Sequence, residues 1–270
     1  MIRMDEQIIT EAKERLLSKE FKGVKTGFFT FDRKIGGLAN GDLIVVGARV
    51  AMGKTTFALS LIENICIRDG KTCLIYTAEK TAGEIVQRII TQHAGIGYKV
   101  INDKDSRTPI EKSAKDVTGA HLWIDDMHVA NAEELIESWR EQGKKERVDL
   151  VIVDYLQLLE SDNIDLKSIL TRLKELAVEL DCPVLVLSQL TRAVEKRKHH
   201  FPKVSDLPDA KTIDEVADEI LFILRPNYYD LKADETYALI TVGKHSECSG
   251  EIIQINYDPE IPIFRTDSNQ

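Results

Sequence analysis

Ala48-Arg49-Val50-Ala51-Met52-Gly53-Lys54-Thr55-Thr56 is the segment from which the fold of this chain can be inferred. It follows an apolar strand predicted at 43–46 and opens a predicted helix. In such a turn, successive backbone N–H groups and the positive end of the helix dipole point at phosphate oxygens. Gly53 allows close backbone approach, Lys54 neutralises the β- and γ-phosphates, and the Thr55 hydroxyl ligates Mg²⁺. The segment therefore predicts a site for ATP and Mg²⁺, although Ala48 stands where the strict pattern has glycine.

The segments around this loop predict an α/β fold. Apolar strands at 43–46, 72–76, 122–124, 150–153 and 184–187 alternate with helical patterns at 54–69, 82–93, 132–146 and 165–181. Continuous apolar strands separated by helices are typical of a parallel sheet covered on both faces. Closely spaced apolar runs at 220–223, 238–242 and 251–255 predict an antiparallel C-terminal β extension.

The bulk composition excludes several classes of protein. The 270 residues, 43% hydrophobic and 30% charged, suit one large α/β domain, and we find neither a membrane span nor a secretion signal. Four scattered cysteines without a CxxC pair disfavour zinc or disulfides and suggest reduced thiols in a cytoplasmic protein. A net charge of -9 disfavours wrapping of nucleic acid by the whole surface but permits a local basic strip.

Two acidic residues follow predicted strands. Asp154 ends the strand at 150–153 and fits a Walker B acid that positions the metal. Glu79 lies just past the strand at 72–76, where it could orient the attacking water. From the residues alone, Glu79 could equally well cap the next helix.

A basic strip follows the strand at 184–187. Its members are Arg192, Lys196, Arg197, Lys198, His199, His200 and Lys203. Lys and Arg side chains of this kind track a single-strand phosphate backbone, whereas the alternative is a solvated charged loop. We interpret His199–His200 as a solvated pair because no cysteine or carboxylate cluster supports a metal site.

Together these motifs resemble the C-terminal ATPase domain of DnaB-type replicative DNA helicases. The resemblance rests on the phosphate loop together with 76–80 (YTAEK), 122–126 (LWIDD), 153–159 (VDYLQLL) and 187–192 (LSQLTR), and it extends from about Gly23 onward. Ala48 is usual in that family. The resemblance implies a RecA-like P-loop NTPase core in a ring of six, with ATP at subunit interfaces. It also implies single-stranded DNA in the channel and a helicase loader or primase as further partners.

The resemblance also implies roles for individual residues. Lys54 and Thr55 would bind phosphate and Mg²⁺, Glu79 would be the catalytic base, and Asp154 would be the Walker B acid. Gln189 would sense the γ-phosphate, and the loop after it would line the DNA channel with Arg192, Lys196, Arg197, Lys198 and Lys203. Lys244 would act on the site of a neighbouring subunit.

The chain departs from the family in three places. Only a helix predicted at 5–20 precedes the core at 23–270, where the family has a helical collar; residues 1–22 resemble the linker that docks on a neighbouring subunit. The family's Lys-Gln-Arg becomes Lys244-His245-Ser246, so Ser246 replaces the arginine finger, for which Arg225 or Arg265 could substitute. Pro208 stands where the family usually has arginine.

Two functions from different classes are compatible with these motifs. One is an ATP-dependent DNA motor, favoured by Lys54, Glu79, Asp154 and Gln189. The other is a weakly hydrolysing or inactive ATP-binding assembly or regulatory protein of the same fold, favoured by Ser246 and the missing collar. A recombinase-like or clock-type relative is disfavoured by 153–159 and 187–192.

Overall fold

The computed structural model of the protein describes residues 23–97, 99–126, 132–156 and 165–266. The helix predicted at 5–20, and its docking on a neighbour, lie outside the described residues. Within the described ranges, no helix is long and apolar enough to span a bilayer. The four cysteines are free, and Cys66, Cys73 and Cys182 are buried.

The described ranges contain eleven strands and seven α-helices. The strands are β1 (Gly23–Val24), β2 (Leu38–Ala39), β3 (Leu43–Ala48), β4 (Cys73–Thr77), β5 (Leu122–Asp125), β6 (Leu150–Asp154), β7 (Val184–Gln189), β8 (Glu219–Leu224), β9 (Tyr237–Lys244), β10 (Ile252–Asp258) and β11 (Ile263–Arg265). The helices are α1 (Phe29–Ile35), α2 (Lys54–Ile62), α3 (Ala82–Ala94), α4 (Arg107–Thr118), α5 (Ala132–Lys145), α6 (Leu166–Leu180) and α7 (Ala210–Val216).

One nine-stranded sheet organises the chain, in the order β11-β10-β9-β8-β3-β7-β6-β4-β5. The strands from β8 to β5 in this order pair parallel, with β3 between β7 and β8. The strands β9, β10 and β11 extend the sheet by antiparallel pairing. The predicted α/β fold with an antiparallel C-terminal extension is therefore confirmed.

Both faces of the central parallel strands β3, β4, β6 and β7 are covered, which explains their long apolar runs. In β3, Ile44 and Val46 join a core with Phe57 of α2, whereas Leu43 and Val45 join an opposite core with Trp139 of α5. Alternate residues of a strand point to opposite faces, so a strand buried on both sides is apolar throughout. Burial of each such side chain stabilises the fold by about 1.5–3 kcal/mol.

The sequence patterns do not reveal three of the helices, α1, α4 and α7. The first, α1, lies in the glycine-containing segment 23–41 and ends at Gly36 with φ of 102°. Asp32 of α1 accepts the backbone N–H groups of Thr26 and Gly27. The second, α4, fully buries only Ser113, and its apolar stripe is short, with Ile110, Ala114 and Val117 at helical spacing. The third, α7, has only seven residues. The helix predicted at 54–69 is also divided, because α2 ends at Ile62 and a π-helical turn spans Glu63–Arg68.

Candidate nucleotide site

The loop between β3 and α2 has the backbone of a phosphate cradle. Ala51 and Gly53 both take positive φ angles, of 63° and 97°. Positive φ angles at alternate residues turn successive backbone N–H groups toward one point, where they can bind an anion. A Cβ on Gly53 would lie 3.2 Å from the Phe264 ring. The first turn of α2 carries no acidic residue, which leaves its positive end available to phosphate.

The sheet register brings the remaining candidate residues to this loop. Ala48 of β3 lies opposite Gln189 of β7, and Thr77 of β4 lies opposite Asp154 of β6. Parallel strands end at the same edge of the sheet, and Glu79 follows β4 at that edge. One cleft of about 290 Å³ is lined by Arg49, Val50, Ala51, Gly53, Lys54, Thr55, Thr56, Glu79, Arg88, Asp154, Tyr155, Gln189 and Tyr257.

Two predicted nucleotide-binding residues, Ala48 and Met52, support the loop from behind. Both are buried and neither lines the cleft. The Ala48 carbonyl accepts a hydrogen bond from Lys54 Nζ at 3.3 Å, and the Met52 sulfur accepts one from the Arg225 backbone N–H. Their direct contact with nucleotide stays a prediction.

In the cleft, the buried ammonium group of Lys54 interacts with the carboxylates of Asp154 and Glu79. Burial lowers the pKa of Lys54, an effect that Asp154 and Glu79 oppose. Burial also raises the pKa of Asp154, which the Thr55 hydroxyl opposes by donating to Oδ2 at 2.7 Å. Each charged group is therefore incompletely compensated, and a phosphate with its metal would supply the charges that the cleft lacks.

The Thr55–Asp154 pair fits the magnesium ion that the phosphate loop implies. A hydroxyl and a carboxylate are the hard oxygen ligands that Mg²⁺ uses together with waters and phosphate oxygens. When bound, the ion would polarise phosphate oxygens and offset developing charge. Glu79 lies at the mouth of the cleft, with 51% of its side chain exposed and Oε2 3.8 Å from Lys80 Nζ. Solvent can therefore reach this carboxylate, as a base that orients water requires.

Replacement of Asp154 by asparagine should separate metal binding from folding. We expect the unliganded variant to be as stable as wild type or more so, because it removes a buried charge. Wild type at a hundredfold excess of MgATP over Kd gains about 2.7 kcal/mol of stability, and we expect the variant to gain less than half of that. Thermal denaturation with ATP, with and without Mg²⁺, measures both effects. Asp69→Asn on the surface is the control, and an unchanged MgATP shift in Asp154→Asn would rule out the metal role.

The basic strip lies on the segment between β7 and α7, here called the basic loop, and its cations are of two kinds. Arg192, Lys196, Lys198 and Lys203 are exposed. Arg197 is instead engaged within the loop, where Nη1 donates to Asp206 Oδ1 at 2.9 Å and Nη2 donates to Oδ2. Asp206 is buried, so this pair fixes the shape of the loop. The interpretation of His200 as solvated was wrong, because its ring stacks on Tyr229 at 3.9 Å.

The hairpin between β9 and β10 lies apart from the cleft of its own chain. Lys244 Nζ donates to the Ala217 carbonyl at 2.7 Å and to the Asp214 carbonyl, at the end of α7. The imidazole Nδ1 of His245 accepts two backbone N–H groups of the turn. Ser246 follows and is exposed.

The two arginines considered as substitutes lie elsewhere. The Arg225 guanidinium stacks 3.9 Å from the ring of Tyr257, which lines the cleft of the same chain. The Arg265 Nη2 lies 3.7 Å from Asp258 Oδ2, in the antiparallel extension. Neither belongs to the hairpin, whose residues 244–251 include no arginine.

Three cleft residues were not predicted to have a role there. Arg88 comes from α3, Tyr155 follows Asp154, and Tyr257 comes from β10. Tyr155 lies in the motif at 153–159, and its position directly after the Walker B acid is the sequence signal that could have identified it as a cleft residue. Arg88 and Tyr257 reach the cleft through tertiary packing, which no local pattern indicates.

A phosphate cradle between β3 and α2, a strand-end acid on β6 and this strand order define a P-loop nucleoside-triphosphate-binding domain with a RecA-like core. Comparison with known proteins identifies the family. The profile of the DnaB-like helicase C terminal domain matches residues 23–266, and the chain belongs to that family.

Curated relatives include replicative DNA helicases from several bacteria. The Replicative DNA helicase DnaB of Haemophilus influenzae is 37% identical over 239 residues, which are 82% of this chain and 50% of that protein. A Probable plasmid replicative DNA helicase of Chlamydia psittaci is 34% identical over 233 residues, covering 83% of this chain and 51% of the relative. The chain spans about half the length of these relatives.

Two solved structures share the fold over almost the whole chain. The first, an isolated ATPase domain, superposes with a TM-score of 0.91 at 26% identity, covering 99% of this chain and 100% of that one. The second, a DnaB-like replicative helicase described with its interactions with primase, gives a TM-score of 0.88 at 26% identity, covering 99% of this chain and 68% of that one.

Proposed function

We propose that this chain is the ATP-dependent motor domain of a DnaB-type DNA helicase. It binds ATP and Mg²⁺ at subunit interfaces of a homo-oligomeric ring, on our proposal a hexamer, and single-stranded DNA in the channel. The observation that carries the proposal is the meeting of Lys54, Thr55, Glu79, Asp154 and Gln189 in one cleft. These side chains supply phosphate binding, metal binding, water orientation and γ-phosphate sensing from a single chain.

The basic loop supports single-stranded DNA as the second ligand. The exposed Arg192, Lys196, Lys198 and Lys203 lie close in sequence after Gln189, whose side chain lines the cleft. A surface that binds the phosphate backbone of DNA needs exposed cationic side chains rather than groups that recognise bases. Its affinity for DNA falls steeply as the salt concentration rises. Arg197 contributes to this surface by shaping the loop, since Asp206 holds its guanidinium.

The remaining partners belong to the same proposal. A helicase loader or a primase would bind the ring, because one of the two solved neighbours is a DnaB-like helicase described with its interactions with primase. A cytoplasmic setting agrees with four free cysteines, three of them buried.

A second function from a different class is favoured by the hairpin. Ser246 stands at the arginine-finger position, and Lys244 is held by carbonyl groups of its own chain. A chain that lacks the trans cation would bind ATP and assemble while hydrolysing slowly, because such a finger contributes about 10³–10⁵-fold to turnover in P-loop enzymes. That protein would be an assembly or regulatory component.

Steady-state ATPase assays of the full chain, with and without single-stranded DNA, distinguish the two functions when sedimentation is measured in parallel. We expect ATP-dependent assembly, DNA-stimulated turnover and unwinding of a forked duplex. Assembly with ATP but without DNA-stimulated turnover would favour the regulatory protein. Absence of ATP binding would contradict both.

A further inference from the structure

Arg49 joins the phosphate loop to the basic loop. It is the first residue after β3, and its side chain is only 12% exposed. Its Nε donates to Glu195 Oε1 at 2.8 Å, and its Nη2 lies 2.8 Å from the same oxygen. Its Nη1 donates to the Leu190 carbonyl at 2.6 Å, directly after Gln189. One guanidinium therefore holds the start and the middle of the segment that follows β7.

A second cavity shows where this contact lies. It has a volume of about 420 Å³ and is lined by Arg49, Val50, Tyr155, Gln189, Leu190, Thr191, Arg192 and Pro208. The first four of these residues also line the nucleotide cleft. Arg49 thus stands in the wall shared by the nucleotide cleft and a cavity at the base of the basic loop.

The basic loop has two further anchors, neither of which lines the cleft. Arg197 pairs with buried Asp206, whose carbonyl also accepts the Thr191 N–H at 2.8 Å. His200 stacks on Tyr229 in the connection after β8. Both anchoring side chains follow Glu195 in the chain, and Glu195 itself lies in the short 3-10 helix Arg192–Lys196. The carboxylate that meets Arg49 therefore sits on the same turn as two of the exposed cations.

We propose that the Arg49–Glu195 ion pair couples nucleotide occupancy to the position of the basic loop. The proposal rests on the proposed function, in which the two ligands are ATP and single-stranded DNA. A triphosphate in the cleft attracts the Arg49 guanidinium and competes with Glu195 for it. Release of Glu195 frees the turn that carries Arg192 and Lys196. Arg49 is a positioning residue in this scheme, acting beside Gln189.

Linkage makes the coupling measurable from either ligand. If nucleotide changes the affinity for DNA by some factor, DNA must change the affinity for nucleotide by the same factor, typically about 5–150-fold. The ratio of the DNA affinities with and without nucleotide measures the coupling. Either affinity alone also depends on the charge of the protein near the DNA. Glu195→Gln removes one negative charge near DNA and should therefore raise DNA affinity both with and without nucleotide. If the pair couples the two sites, the ratio of these affinities should also change.

The test measures the Kd of a fluorescent oligothymidylate for the full chain, with and without a non-hydrolysable ATP analogue. We expect wild type to show at least about a fivefold ratio of Kd values. We expect Glu195→Gln, Arg49→Gln and the double variant each to bring that ratio within about twofold of one, with no further loss in the double variant. Glu235→Gln, an exposed carboxylate far along the chain, is the matched charge control and should keep the wild-type ratio.

Two outcomes contradict the inference in different ways, and a third supports it. If wild type shows coupling and Glu195→Gln keeps it, this inference is overturned while the proposed function stands. If wild type binds nucleotide but no single-stranded DNA in either state, the proposed function falls and the inference falls with it. A loss of coupling in Glu195→Gln with an unfolding midpoint close to wild type supports the inference, since a partly exposed pair contributes little to stability.

Discussion

Replacing Lys54 with alanine will reduce ATP turnover by at least about a hundredfold, the loss that follows removal of one charge-stabilising donor from a preorganised site. Lys54 is the cation that begins α2, and its Nζ donates a long hydrogen bond of 3.3 Å to the Ala48 carbonyl. Its burial lowers its pKa, so the ammonium is poorly solvated before phosphate arrives. Binding of an anionic phosphate therefore replaces missing solvation rather than displacing a strong partner.

The lowered pKa of Lys54 adds a pH dependence. A base with a depressed pKa loses its proton at lower pH than an exposed lysine does. Nucleotide affinity should therefore weaken with rising pH before pH 10.5, the ordinary lysine value. Isothermal titration with ATP across alkaline pH measures this loss. Lys112→Ala on the surface of α4 is the control, and turnover of Lys54→Ala within about tenfold of wild type would refute the assigned role.

Changing Ser246 to arginine will raise DNA-stimulated turnover, by at least about tenfold if the hairpin reaches the neighbouring site. A trans arginine contributes about 10³–10⁵-fold in related P-loop enzymes, and a position not shaped for it should recover part of that. Ser246 is exposed on the turn, and the backbone beside it is held by His245 Nδ1. The substitution therefore adds a cation without removing a described side-chain contact of the turn.

Mixed rings show whether the new arginine acts in trans. The double variant Lys54→Ala/Ser246→Arg cannot hydrolyse ATP but can offer its arginine to wild-type neighbours. Adding it to wild type should raise turnover per wild-type subunit, whereas Lys54→Ala alone should not. Ser246→Lys is the matched control and should give a smaller gain, because an ammonium lacks the bidentate fork. Intact assembly with unchanged turnover in Ser246→Arg would show that this position is not the finger.

The sequence predicted the sheet well because parallel strands buried on both faces are uniformly apolar. The strand expected at 184–187, for instance, is β7 at Val184–Gln189. The helices that were missed are short or bury little: α1 and α7 have seven residues each, and α4 fully buries only Ser113.

Within the site, residues positioned by local motifs could be predicted, whereas residues positioned by distant contacts could not. Lys54, Thr55 and Asp154 were predictable because strand ends and helix starts fix their positions locally. Arg49 was recognised as part of the loop, but its partner Glu195 lies 146 residues away and no spacing rule joins them. Tyr257 likewise reaches the cleft only because β10 folds back along the sheet.

The last strand of the sheet has a consequence for how the protein is made. Ser60 of α2 accepts the backbone N–H of Phe264, 204 residues later, and the ring of Phe264 packs beside Gly53. A chain emerging from the ribosome therefore exposes its phosphate loop long before the residues that brace it exist. The complete nucleotide cleft therefore forms only after β11 has been synthesised and added to the sheet edge.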